Sequence, residues 1–189
     1  YELLNRFLKE SKQFGSQRQA SEGRAVKLAL DNLARIAGFG DSTRLTWSME
    51  ADLIKEISEY LSPKEINGVI IYIELQDGIP SLVIENKGKR LQSIPSRLKK
   101  DSNIVKLREI YQQLNEQHVR GRSLLEEAMV NGSEFTGEEV AQLSENPIIW
   151  SLFSRLVLVN DSNIFGFPGN DGRSLVAADG EAVSYTHLT

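Results

Sequence analysis

The sequence contains no cysteine and only two histidines, His118 and His187. The absence of cysteine excludes disulfides, thiolate catalysis and the common structural zinc sites, and two histidines are too few for a histidine metal cluster. A Ser-His-Asp arrangement would have to use His118, yet the sequence offers no Gly-x-Ser-x-Gly turn to partner it. We therefore expect His118 to lie at a helix interface. We assign no catalytic residue, no metal and no cofactor, and we favour a non-enzymatic role.

Long apolar runs and a leader peptide are also missing. No stretch approaches the roughly 18 apolar residues that span a bilayer. The start, Tyr1-Glu2-Leu3-Leu4, has neither the basic region nor the apolar core of a signal peptide. Together with the lack of cysteine, these absences predict a cytoplasmic protein with no membrane partner. Because the chain begins with Tyr1 inside a helical pattern, we expect it to be part of a longer polypeptide.

What is present is the composition of an ordinary globular domain, with 189 residues, 40% hydrophobic and 25% charged. From residue 1 to residue 62, apolar residues recur every three or four positions, which predicts three helices. We expect the first to end at Gly15 and the second at Gly38. Asp41 or Ser42 should cap the third, whose apolar stripe is Leu45, Met49, Leu53, Ile57 and Leu61.

Between residues 66 and 94 the apolar period changes to alternation, which predicts strands. One strand follows residues 69–75, a turn at 76–80 leads into residues 82–84, and a turn at 86–89 leads into a third strand over 90–94. Such a meander needs a helix to cover one face. Candidate helices flank the meander on both sides, and the one that follows it is a long helix predicted from Asp101 to Val130.

Two positions of that long helix are unusual. His118 and Gly121 lie on its apolar stripe, so we expect either a close approach of another segment there or a bend. Beyond it, Thr136 and Glu139 predict a capping box, and Asn146-Pro147 predicts a further helix start. Two short strands are predicted at 164–167 and 174–177.

The predicted fold class is therefore α+β, mostly helical with a small three-stranded antiparallel meander between helical segments. We divide the chain into a helical segment at 1–62 and a segment at 63–159 that holds the meander, the long helix and the short helices. A turn-rich segment with short strands follows at 160–182. The end, 183–189, resembles translated sequencing-adapter read-through, and we expect it to be a non-native tail.

Three weak motifs have structural explanations. Residues 38–43 resemble a phosphate loop, but they follow a helix and lack the Gly-Lys-Ser/Thr ending, so a helix end joined to the next helix cap is expected. Residues 160–171 offer oxygen atoms for calcium without the spacing of an EF-hand, which favours turns. The acid pairs Glu126-Glu127 and Glu138-Glu139, and Glu56 with Glu59, are expected to face water rather than to act as acid and base.

One segment stands apart by charge. Residues 87–108 contain eight positive side chains and one acid, a net charge of +7 in a chain of net charge −4. Our candidate contacts for a phosphate or another anion are Lys89, Arg90, Arg97, Lys99 and Lys100. The segment could instead be a solvated surface, or it could dock against an acidic domain of the same protein. Nucleic acid is a less favoured partner, because the segment lacks aromatic residues for stacking and the pI is about 5.4.

Several blocks, in this order, resemble the MolR-like domain of unknown function. They are residues 32–51, 88–91, 94–95, 98–101, 122–129, 146–149 and 156–157. The resemblance covers about residues 1–182. It implies a large bacterial protein, in some cases with a WGR domain elsewhere, and a connection to molybdate or molybdopterin metabolism. It implies no catalytic residue for this chain.

These observations predict a structural or regulatory module of a large bacterial cytoplasmic protein, with the remainder of the polypeptide as its partner. Such a module should expose apolar surface when it is made alone. The alternative is the anion-binding or phosphate-binding part of an enzyme.

Overall fold

The computed structural model describes residues 1–160, 163–177 and 180–184, without the side chains at positions 53, 55, 56, 183 and 184. The predicted positions Leu53, Glu56 and His187, and the last five residues of the predicted tail, lie outside what it describes. Within these limits the helices are α1 (Glu2–Ser11), α2 (Ser16–Ala37), α3 (Ser42–Ile57), α4 (Ser102–Asn131), α5 (Gly137–Ser144) and α6 (Pro147–Phe153). The strands are β1 (Lys64–Ile66), β2 (Val69–Gln76), β3 (Ile79–Asn86), β4 (Lys89–Arg90), β5 (Leu158–Val159), β6 (Phe165–Pro168), β7 (Ser174–Ala177) and β8 (Ala182–Ser184).

The chain forms two compact units, Tyr1–Asp52 and Leu53–Thr189. The predicted end of α2 and start of α3 are confirmed, whereas α1 ends at Ser11 instead of Gly15, and α3 ends at Ile57 and is followed by a 3-10 turn at Ser58–Leu61. Gly38 ends α2 with a φ of 83°, in the left-handed region that glycine adopts without a steric penalty. The Asp41 carboxylate accepts a hydrogen bond from the Arg44 amide at 2.8 Å, as a helix cap does. Trp47 is buried in this unit.

The first sheet belongs to the C-terminal unit and has the strand order β1-β2-β3-β4, all antiparallel. Each pair of neighbouring strands is joined by two residues with positive φ, namely Asn67-Gly68, Asp77-Gly78 and Lys87-Gly88. Positive φ at both residues defines the type I′ turn, whose twist matches that of the strands it joins. The fold class α+β is thus confirmed, but this sheet has four strands instead of the predicted three.

The difference lies at both edges of the sheet. β1 was missed because two of its three residues are charged, so it shows no apolar alternation. The predicted strand over 90–94 is too long, since β4 is only Lys89–Arg90 and one further bond, from the Leu91 amide to the Ile84 carbonyl, ends the ladder. Ile94 and Leu98 then turn into the core.

The helix α4 covers one face of this sheet. Val69, Ile71 and Ile73 of β2 are fully buried, and they belong to one apolar cluster that includes side chains of α4 such as Ile104, Leu107 and Leu114. Asp101 caps α4 by accepting a hydrogen bond from the Asn103 amide, and Gly132 ends it with a φ of 61°. The predicted long helix is therefore confirmed to within one or two residues at each end.

The glycine in α4 marks a close helix contact. A Cβ atom at Gly121 would lie 2.3 Å from Cδ1 of Ile149, which is completely buried in α6. Of the two alternatives expected at this position, the structure shows the close approach of another segment. His118, one turn earlier, is half-buried.

The second sheet has the order β5-β6-β7-β8, again antiparallel. Its central strands confirm the two predicted near 164–167 and 174–177. β8 pairs Leu175 with Val183 and Ser174 with Ser184, so the first two residues of the predicted tail take part in the sheet. The α5 capping box is also present, with the Glu139 amide 3.2 Å from the Thr136 hydroxyl and the Thr136 amide 2.7 Å from the Glu139 carboxylate.

Candidate interaction surfaces

The basic segment begins at one end of the first sheet. Lys87 is the first residue of the type I′ turn between β3 and β4, with a φ of 49°, and Lys89 stands opposite Asn86 at the start of β4. Both side chains are exposed. The backbone carbonyl of Asn67, in the turn between β1 and β2, accepts a hydrogen bond of 3.4 Å from Nη2 of Arg97. Because these two turns lie at the same end of the antiparallel sheet, Lys87, Lys89 and Arg97 are brought to one end of it.

Lys99 and Lys100 lie two and three residues after Arg97 and are also exposed. They precede Asp101, the only acid of the segment, whose carboxylate is occupied by the capping hydrogen bond from the Asn103 amide at 2.9 Å. In the part of the chain that the structure describes, no carboxylate forms an ion pair with Lys87, Lys89, Arg97, Lys99 or Lys100. We call these five side chains the basic end of the first sheet.

Arg90 is separated from the basic end although it adjoins Lys89. Its register partner is Glu85, and its guanidinium donates a hydrogen bond of 2.8 Å to the Glu74 carboxylate, on the face of the sheet opposite α4. The hydrogen bond and the charge of Glu74, with a smaller contribution from Tyr72, raise the pKa of Arg90. Arg90 is therefore partly neutralised. The predicted anion contacts thus divide into four unpaired cations and one that is paired within the sheet.

Further along the basic segment, Lys106 makes contacts within the C-terminal unit, and Lys64 of β1 contacts the same aromatic ring. The ammonium groups of Lys64 and Lys106 lie 4.4 Å and 5.7 Å from the centre of the Tyr60 ring, both at cation–π distances. Lys64 also pairs with Glu59 at 3.1 Å, and this hydrogen bond is the main cause of the lowered pKa of Glu59. These contacts hold the edge strand β1 and the first turns of α4 against the 3-10 turn at Ser58–Leu61 that follows α3.

The second candidate surface is apolar and lies on the second sheet. Val159 on β5 is paired with Phe165 on β6, and Phe167 lies on the same face of β6. This face is opposite the one that carries the buried Gly166, Pro168 and Leu175. Val157, just before β5 begins, is two residues from Val159 and therefore has the spacing of the same face. The exposed fractions are 59% for Val157, 63% for Val159, 60% for Phe165 and 50% for Phe167. We call this group the apolar sheet face.

Sequence reasoning missed the apolar sheet face. The strand at 164–167 is predicted from the turns on either side of it, and such a prediction does not say which face of the strand is covered. Gly166 and Gly172 are the residues in the sequence that mark where another segment approaches the chain closely. A Cβ at Gly166 would lie 2.1 Å from the Val176 carbonyl oxygen, and one at Gly172 would lie 2.7 Å from Cβ of Ser144 in α5. Gly172 therefore seats the turn between β6 and β7 closely on α5.

The described residues of the weak motifs have structural roles, while Asp161 and Ser162 of the 160–171 loop lie outside what the structure describes. Residues 38–43 join the end of α2 to the cap of α3. Asp171 accepts hydrogen bonds from the Arg173 amide at 2.9 Å and the Ser174 hydroxyl at 3.0 Å, which lower its pKa. Glu126 pairs with Arg122, and Glu139 serves the capping box. Among the described residues, no group of three or more His, Cys, Asp or Glu side chains is arranged to hold a metal ion.

The N-terminal unit has two grooves among its described residues. One, of about 490 Å³, lies between α1 and α2 and is lined mainly by Leu3, Leu4, Phe7 and Val26. The other, of about 570 Å³, surrounds the start of α2. Neither includes any residue of the basic end. No helix in the described residues is both long enough and apolar enough to cross a bilayer.

Comparison with known families also divides the chain into two parts, as the two compact units do. Residues 88–188 match the family described as a domain of unknown function, DUF4132. The chain belongs to this family. Residues 1–49 match a different family of unknown function, DUF5724, and this match ends close to the boundary between the two compact units at Asp52. The DUF4132 match includes β4, all of the basic segment except Lys87, α4 and the second sheet, and it extends into the predicted tail. No curated protein and no solved structure matches the chain.

Proposed function

We propose that this chain is a non-enzymatic structural or regulatory module of a larger bacterial cytoplasmic protein, and that it packs on the remainder of that polypeptide through the apolar sheet face. The exposure of Val157, Val159, Phe165 and Phe167 on one face carries the proposal. Contiguous exposed apolar groups of this kind mark interaction surfaces in soluble proteins, because their exposure to water is unfavourable. Two matched families that meet within one chain also support a multidomain setting.

The size of the apolar sheet face favours a tethered partner. An aromatic side chain buries about 150–250 Å², so Phe165 and Phe167, each about half exposed, offer roughly 200 Å² of ring surface. At about 25 cal/mol per Å² this corresponds to about 5 kcal/mol before the costs of ordering. Stable interfaces between separate chains usually bury about 1,200–2,000 Å² in total, whereas those between domains of one chain can be as small as about 600 Å². The remainder of the same polypeptide therefore fits this face better than an independent protein does.

The alternative function, a phosphate or oxyanion site within an enzyme, has less support. A small-anion site needs convergent donors in a recess. The unpaired cations are instead distributed along an exposed end of the sheet, and Arg90 is occupied by Glu74. The connection to molybdate rests on the resemblance to MolR-like proteins and has a direct test, which is binding of inorganic molybdate or phosphate measured by calorimetry.

These 189 residues contain no cysteine, so a single cysteine introduced into them can be labelled at a known position to test the main proposal. We would introduce a single cysteine as Phe167→Cys on the apolar sheet face, and as Ser133→Cys in the exposed segment after α4 as the matched control. Each is labelled with a maleimide, once in the 189-residue chain and once in the longest natural polypeptide that contains it. We expect Cys at position 167 to react at least about tenfold more slowly in the longer polypeptide, and Cys at position 133 to react equally in both. Equal rates at position 167 would refute the proposal.

A further inference from the structure

The basic end of the first sheet is a charged surface without partners in the described chain. Lys87, Lys89, Lys99 and Lys100 form no ion pair there, and Arg97 donates only to a backbone carbonyl. The neighbouring Arg90 differs from them, because its charge is compensated by an ion pair with the Glu74 carboxylate. Five unpaired cations repel one another, which makes an external anion the natural complement.

The spacing of these cations defines the shape of that anion. Three strand spacings of about 4.8 Å separate Lys89 on β4 from Ile66 on β1, beside the turn that Arg97 contacts, a distance of about 14 Å. The Cα atom of Lys100 lies at most about 11 Å from that of Arg97, since consecutive Cα atoms are about 3.8 Å apart. A single phosphate or molybdate is far smaller than these spans and can contact only some of the cations.

We propose that the basic end binds an extended acidic polypeptide segment. An extended chain advances about 3.3 Å per residue, so about five residues rich in Asp and Glu span the distance from Lys89 to the turn at Asn67. Four of the five cations are lysines, which act as point charges and do not need the planar, bidentate acceptor that arginine prefers. A row of carboxylates along an extended chain can therefore pair with these point charges one by one.

Nucleic acid fits the same charges less well. From Lys87 to Arg108 the sequence has no aromatic residue on which a base could stack. The remainder of the chain carries a net charge of −11, which would repel a long phosphate backbone on either side of the basic end. A short acidic segment reaches the basic end without passing over the acidic remainder.

The test uses a fluorescent octaglutamate peptide as the probe, with a single-stranded oligonucleotide of equal charge and inorganic phosphate as competitors. Binding to the 189-residue chain is followed by fluorescence anisotropy at low and at physiological ionic strength. We expect saturable binding that weakens with salt, and an affinity for octaglutamate above that for the oligonucleotide. No binding, tighter binding of the oligonucleotide, or full displacement by phosphate at an equal concentration of charge would overturn the proposal.

Charge-reversal variants locate the site. Lys99→Glu/Lys100→Glu should weaken octaglutamate binding about tenfold and should keep the fold, because acids beside the start of α4 are favourable for a helix. Lys87→Glu/Lys89→Glu tests the other side of the same surface in the same way. The control, Lys12→Glu/Arg24→Glu, makes an equal change in net charge at exposed positions of the N-terminal unit and should change the affinity by less than about twofold. An equal loss in the control would show that only the net charge matters and would refute the site. This result does not depend on the apolar sheet face, so either proposal can fail alone.

Discussion

The turn between β2 and β3 is more constrained than the two turns that resemble it. Gly68, Gly78 and Gly88 each occupy the second position of a type I′ turn, with φ values of 77°, 73° and 74°. A Cβ atom at Gly68 or Gly88 would meet nothing within 4 Å. At Gly78 it would lie 1.9 Å from Oγ and 2.4 Å from Cβ of Ser151 in α6, and 3.0 Å from the backbone carbonyl of Pro147.

These three glycines provide an internally controlled experiment. Alanine at Gly68 or Gly88 incurs only the left-handed backbone strain, about 1–2 kcal/mol. Alanine at Gly78 adds the overpacking of the turn against α6, about 1–3 kcal/mol more. We therefore expect Gly78→Ala to lower the free energy of unfolding by about 2–5 kcal/mol and Gly88→Ala by about 1–2 kcal/mol.

Urea unfolding followed by circular dichroism measures this difference, because all three glycines lie in the C-terminal unit. A second variant checks the cause. Adding Ser151→Gly to Gly78→Ala removes the side-chain atoms nearest to the new methyl group, and it should recover part of the extra loss. If Gly78→Ala is no more destabilising than Gly68→Ala and Gly88→Ala, the close packing of this turn on α6 is wrong.

Two further predictions concern α6 and the turn between β6 and β7. Phe153 is fully buried and makes an edge contact with Phe135 at a ring-centroid distance of 5.2 Å. In urea unfolding, Phe153→Ala should therefore lower the free energy of unfolding by about 3–5 kcal/mol, while Phe165→Ala, at an exposed position, should change it by less than about 0.5 kcal/mol. Equal losses for the two variants would contradict the burial of Phe153. Because the hydrogen bonds to Asp171 lower its pKa in the folded state, its stabilising contribution is complete above the unfolded pKa and is lost as the pH falls through the folded pKa. Thermal unfolding should therefore lose more stability below about pH 4 in the natural chain than in Asp171→Asn, and a parallel decline would contradict this assignment.

The elements that depend on neighbouring residues were well predicted. The cap at Asp41, the glycine end of α2, the capping box at Thr136 and the span of α4 are encoded within a few residues, so local patterns are sufficient to locate them. The missed strand β1 is also local, but its two charged residues hide the alternation that usually reveals a strand.

The properties of the two surfaces could not be predicted in this way, because they depend on contacts distant in sequence. Arg90 finds Glu74 sixteen positions earlier, across two strand pairings. Arg97 contacts Asn67 thirty positions earlier. The sequence indicates that both arginines are exposed to anions, yet only the register of the sheet reveals that one of them is already paired.

The two-residue turns of the first sheet also determine the order in which the nascent chain can fold. Every strand pairing from Lys64 to Arg90 is with the next strand along the chain, so the sheet can form as soon as this segment leaves the ribosome. The helix that covers it is complete to Leu114 only after 24 more residues, which takes about 1–5 s at about 5–20 residues per second. During that interval Ile71, Ile73 and Ile84 are without their cover, and we expect chaperone binding during synthesis to concentrate there.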